Sequence, residues 1–142
     1  TNDLAYRWAE KNIPRGDLVF LTPFFVDNFN TLPIRMMGFG SPGMRQYRMP
    51  AAIVPNTEKR PIYRKETVDF LLSQKVSYIV LNSYFEGGLY NTEENRRWFP
   101  RSVDAYQAFR SRLAENAELV YSVEGYKAGR LGPDISIYRL KN

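Results

Sequence analysis

Apolar residues recur along this chain in two alternating rhythms. In NDLAYRWAEKNIPRGD, Leu4, Ala5, Trp8 and Ala9 repeat at helical spacing, with Asp3 available as a cap and Asn12, Pro14 and Gly16 as stops. The run DLVFLT follows at once, apolar without alternation, as expected of a central parallel strand buried on both faces. The same pair returns downstream. Val68, Leu71 and Leu72 mark one face of a helix in RKETVDFLLSQK, which leads directly into the strand VSYIVLN. A third helix is predicted from Pro100, whose missing N–H is harmless in a first turn. Its stripe is Val103, Tyr106, Phe109 or Arg110, and Leu113, and it ends near ENAE. The strands ELVYSVE and DISIYRL then flank the turn chemistry of GYKAGRLGP, which predicts an antiparallel hairpin. Trp8 is expected in the core, tying the first helix to the sheet.

The expected fold is therefore α/β: a small mixed sheet with parallel αβ units flanked by helices and a C-terminal antiparallel hairpin. The chain reads as one domain over residues 1–142, interrupted by a long loop insertion at 23–63. That insertion carries Pro23, Pro33, Pro42, Pro50, Pro55 and Pro61 together with Gly38, Gly40 and Gly43, so regular structure is expected to be short there. It also holds Arg35, Arg45, Arg48, Lys59 and Arg60 against Asp27 and Glu58. A connection of this length in a compact domain is more often functional than a plain linker, and it is expected to act as a mobile basic flap. Phe24, Phe25, Met36, Met37 and Met44 would supply its apolar contacts.

Composition narrows the chemistry. With 142 residues, 44% hydrophobic and 25% charged, the chain lies in the globular range and has length for one good core. The apolar runs are strand-sized, too short to cross a bilayer. No secretory leader is read at the N-terminus, and the first residue is not Met, as in a segment cut from a longer protein. Zero Cys and zero His remove disulfides, thiol chemistry, imidazole bases and nearly every zinc site, leaving carboxylates, hydroxyls, Lys and Arg.

The short motifs read mostly as structure. GFGSPG lacks the strand-to-helix setting and the Lys-Ser/Thr of a phosphate loop, and the EGG of residues 86–88 lacks the third Gly of a dinucleotide fingerprint, so both are turns. Glu93 and Glu94, with Asp17, Asp27 and Asp69, would serve acid–base chemistry only if two of them converged with separated pKa values. A solvated face is their ordinary role. RRWFPR at 96–101 mixes arginine with aromatics as single-strand readers do, but the cluster is short and the net charge is only +5. A phosphate-bearing lipid surface or plain solubility accounts for it equally well.

Taken in order, RWAEKNIPRGD, the apolar strand, VSYIVLNSYF, FPRSVDAYQAFRSRLAENAELVYSVEG and GRLGPDISIYRL resemble the C-terminal extracytoplasmic domain of bacterial integral-membrane glycosyltransferases, the protein-mannosyltransferase-like enzymes of type-C membrane fold. The resemblance lies in Trp8, Asn12, Pro14 and Gly16; in Tyr78, Val80, Ser83 and Tyr84; in Pro100, Tyr106 and Phe109; and in Gly132, Pro133, Ile135, Ile137, Tyr138 and Arg139. It covers residues 1–22 and 76–140 and leaves 23–63 unmatched. It implies a domain outside the cytoplasm, in the periplasm or at the cell exterior, attached to a transmembrane part of the same polypeptide. The donor would be a polyprenyl-phosphate-linked sugar and the acceptor a glycan or protein of the cell envelope. The family's catalytic acids lie in transmembrane loops, so no catalytic residue, metal or cofactor is carried onto this chain, and no nucleic acid is expected as a partner.

The candidate contacts are then Arg35, Arg45 and Arg48 for anionic lipid or a lipid-linked sugar, and Tyr84, Phe85 and Tyr90 at the end of the second parallel strand. Open α/β folds bind ligands at that end. These three rings either stack on sugars or cover the end of the core. The alternative from another class is a free-standing binding module for a nucleotide or other anionic ligand, gated by the basic segment 35–60. A third is a purely structural interaction domain.

Overall fold

The computed structural model describes residues 1–21, 29, 31–38, 63–83 and 93–141 of the chain. Its elements are α1 (Asn2–Asn12), β1 (Leu18–Leu21), β2 (Arg35–Gly38), α2 (Lys65–Ser73), β3 (Tyr78–Asn82), α3 (Glu93–Arg96), α4 (Pro100–Asn116), β4 (Ala117–Val123), a 3-10 turn (Tyr126–Ala128) and β5 (Ile135–Leu140). The five strands form one sheet in the order β2-β1-β3-β5-β4. β2, β1 and β3 run parallel; β5 is antiparallel to β3, and β4 to β5. The architecture is the mixed α/β sheet with a C-terminal hairpin that the patterning predicts.

Successive residues of a strand face opposite sides of the sheet, and here each side is covered. Leu18 and Phe20 of β1 join Ile79, Leu81, Val68, Leu71, Tyr106, Phe109 and Leu113 in a core beneath α2 and α4. Val19 and Leu21 join Tyr78, Val80, Ile135, Ile137, Ala5 and Ala9 in a second core beneath α1. All of β1 and β3 is buried, so their sequences can be apolar without alternation. β4, at the sheet's margin, buries only its two ends.

Local rules account for the boundaries. Pro14 keeps Ile13 extended (φ −88°, ψ 120°) and so ends α1, and Gly16 turns the chain at φ +83°. Pro100 opens α4 at the first helical position. α2 ends without glycine: Lys75 itself takes φ 57°.

Three expectations are corrected. Asp3 lies within the first turn of α1, whose N-cap position is Thr1. Trp8 is half-buried rather than core, stacked on Tyr121 at 5.3 Å between centroids and edge-on to Tyr78 at 6.4 Å. Ala5 and Ala9 are the α1 residues that enter the core, because only small side chains let the helix lie close to the sheet. Within 23–63, residues 35–38 form a marginal strand in register with Leu18–Leu21, and this strand buries Met37 in the core and packs Met36 on the opposite face. Neither methionine is therefore available as a flap contact. The remainder of that segment, including Phe24, Phe25 and Met44, lies outside the described residues.

Candidate functional site

The topology sorts the chain ends of the elements onto two opposite edges. At the carboxyl edge of the parallel strands lie Leu21, Gly38 and Ser83, the start of each flanking helix, and the β4–β5 connection. At the amino edge lie Asp17, Arg35, Ser77, Asn116 and Lys141. They are knit there by Arg35 N to Asp17 O (2.9 Å), Ser77 N to Leu18 O (2.8 Å) and Lys141 N to Asn116 O (2.8 Å).

The carboxyl edge is anchored by a polar knot. Ser83 N donates to Asp134 O and Asp134 N donates to Ser83 Oγ, both at 2.9 Å. The Asp134 carboxylate accepts from Gly125 N at 2.7 Å. Gly125 is buried so tightly that a Cβ there would run into the backbone of Gly132 and Pro133. The polar end of β3 thus has a structural task, since Ser83 ties the hairpin connection to the sheet. Patterning puts Ser83 at a strand end but cannot reveal its partner, which lies 51 positions away.

Two exposed clusters rise from this edge. Trp98 and Phe99 follow α3, and both their N–H groups donate to Asn95 O, at 3.1 and 2.8 Å. Trp98 is 70% exposed, with the Arg97 guanidinium 5.6 Å from its ring centroid. In the β4–β5 connection, Tyr126 and Leu131 are exposed, Leu131 at 88%. Their turn is closed by Ala128 N and Arg130 N donating to Gly125 O, at 3.0 and 3.1 Å. Leu4, in the first turn of α1, adds to the same edge. Basic neighbours accompany both clusters: Arg97 and Arg101 beside Trp98 and Phe99, Lys127 and Arg130 beside Tyr126 and Leu131. Two acids of the edge are engaged, Asp104 with Arg96 and Asp134 with Gly125.

Among the described residues, the acids considered for catalysis do not converge. Asp69 pairs with Arg112 at 2.8 Å on the α2–α4 surface, whereas Asp17 sits half-buried at the amino edge. The hydrogen bond from Arg112 to Asp69, then that to Glu115, raises the guanidinium pKa above its ordinary value, so this charge is constant over any working pH. Glu93 and Glu94 lie in α3, with side chains outside the description, and Asp27 is outside it altogether. Among the described residues no three His, Cys, Asp or Glu gather as a metal site, and no helix is long and apolar enough to cross a membrane.

Of the candidate contacts, Arg35 is exposed at the amino edge and donates Nε to Gly16 O at 2.8 Å, across the sheet from Ser83. Arg45, Arg48, Tyr84, Phe85 and Tyr90 lie outside the described residues. Sequence reasoning named neither Tyr126 nor Leu131, although a large apolar residue inside GYKAGRLGP, a segment made for turning, was the available signal. No protein-family model, curated protein or solved structure matches the chain.

Proposed function

We propose that this chain is the extracytoplasmic domain of a membrane glycosyltransferase that draws on a polyprenyl-phosphate-linked sugar. In this reading it is non-catalytic by itself, stands over the membrane-embedded part of the same polypeptide, and shapes the approach of a glycan or protein acceptor. The ordered motifs at 1–22 and 76–140 suggest the family. The observation that carries the reading is the carboxyl edge. Both faces of the sheet are closed by helices, yet Leu4, Trp98, Phe99, Tyr126 and Leu131 stand exposed on one edge. Large apolar side chains exposed along one shared edge favour a surface that something covers.

Labelled polyprenyl-phosphate sugars incubated with candidate acceptors test it in two arms. The chain alone should give no product, and the polypeptide containing its membrane part should give transfer. Turnover by the chain alone, abolished by a single carboxylate change, overturns the proposal.

The free-standing module for an anionic ligand keeps one observation in its favour. Lys11, Arg15, Lys75 and Lys141 are exposed around the amino edge without an acid partner among the described residues. Salt-sensitive binding of a nucleotide, lost when these four are changed to Gln, would favour that reading.

A further inference from the structure

We infer that the carboxyl edge seats on a lipid bilayer surface, with Trp98 and Phe99 on one side and Tyr126 and Leu131 on the other entering the headgroup layer. The inference rests on the reading above for the presence of a membrane beside the domain. Its physical basis is the pairing of exposed apolar side chains with adjacent cations. Trp98 and Phe99 are bracketed by Arg97 and Arg101, Lys127 follows Tyr126, and Arg130 precedes Leu131. Indole and phenol rings favour the interface between water and hydrocarbon, where an apolar body and a polar tip are both accommodated. Lys and Arg beside them reach the lipid phosphates while their stems stay in the apolar layer.

Both clusters are held by backbone hydrogen bonds, so the rings are displayed without ordering a long loop on binding. The phosphate is common to zwitterionic and anionic lipids. Binding is therefore expected to both, with some gain on anionic vesicles and only partial loss at high salt, since the apolar contribution is not screened.

The test is co-sedimentation of the 142-residue chain with phosphatidylcholine vesicles and with vesicles containing phosphatidylglycerol, together with iodide quenching of Trp98 in a Trp8→Phe background. Binding to both vesicle types and shielding of Trp98 from iodide are expected. Changing Trp98, Phe99 and Leu131 together to Ala should lower partitioning about tenfold or more, given the interfacial preference of such side chains. These residues are exposed, so far-ultraviolet circular dichroism should match the parent. Changing Lys11, Arg15 and Lys75 to Gln at the other edge should leave binding to phosphatidylcholine unaltered. No binding to either vesicle type, unshielded Trp98 in bound protein, or self-association through this edge in sedimentation velocity overturns the inference. The transferase arms above are read independently: transfer by the full polypeptide without vesicle binding by the chain would retain the function and reject this orientation.

Discussion

The two edges of the sheet differ in what they expose. At the carboxyl edge large apolar side chains stand beside arginine and lysine, and Asp104 and Asp134 are engaged in internal bonds. At the amino edge the connections are short and tied by backbone hydrogen bonds, and exposed cations are distributed around them; Leu119 is the large apolar side chain exposed toward that side among the described residues. The contrast follows from how parallel strands are wired. The αβ connections entering β1 and β3 cross the amino edge in a few residues, whereas the chain leaving those strands does so at the carboxyl edge, where sequence is free to carry function.

That comparison can be broken most severely from within. Phe109 is fully buried beneath α2 and α4 and packs on Tyr63 at 5.2 Å. Phe109→Ala should cost about 3–5 kcal/mol, as large aromatic truncations do. If the sheet couples its two edges, denaturant unfolding read by Trp8 and by Trp98 fluorescence should shift by the same amount. Separate transitions would mean that the edges belong to different cooperative units.

Gly125→Ala probes the carboxyl edge alone. The added methyl meets the backbone of Gly132 and Pro133, which cannot swing aside as a side chain would, so a loss of about 1–3 kcal/mol is expected. Hydrogen exchange should accelerate at Ser83 and Gly125 before it does at Ser77. Unchanged protection at Gly125 would show that the knot does not depend on the close backbone approach there.

Trp8→Ala should cost about 2 kcal/mol, less than a fully buried ring, because the indole is half-buried and its contribution is partial burial plus stacking on Tyr121. A thermal-melt loss as large as that of Phe109→Ala would restore Trp8 to the core. The smallest effect is expected at the amino edge. Lys75 occupies the left-handed region at φ 57°, and Lys75→Gly should stabilise by about 0.5 kcal/mol, the relief of strain exceeding the added chain entropy. A loss of stability would mean that the Lys75 side chain contributes packing.

Much of this fold is legible in the chain because its signals are local. Pro100 and the stripe through Val103, Tyr106, Phe109 and Leu113 describe α4 as it stands, and Phe109, not Arg110, supplies the core contact. Arg110 instead donates to Tyr138 OH at 2.7 Å with its guanidinium over the ring, joining helix to strand. β2 is illegible for a physical reason: four residues that follow closely on Pro33 and end in Gly38 have little strand character of their own, and pairing with β1 makes them a strand. The exposed clusters were partly legible. RRWFPR stands out as a mixture of arginine and aromatics, but nothing local says which aromatics face water in a chain where most are packed.

Apart from β2 and α3, helix and strand identity, the pairing of parallel αβ units with a closing antiparallel hairpin and the apolar faces that form the cores were determined by the sequence alone, through periodicity and the punctuation of Pro14, Gly16 and Pro100. Tertiary structure alone decided that Ala5 and Ala9 rather than Trp8 fill the space under α1, and that Ser83 meets Asp134. It alone set Arg35 on the edge opposite Trp98, Phe99, Tyr126 and Leu131. Periodicity reports which face of an element is apolar, but the spacing between elements decides which side chain fits the gap, and the wiring of the strands decides which loops share an edge.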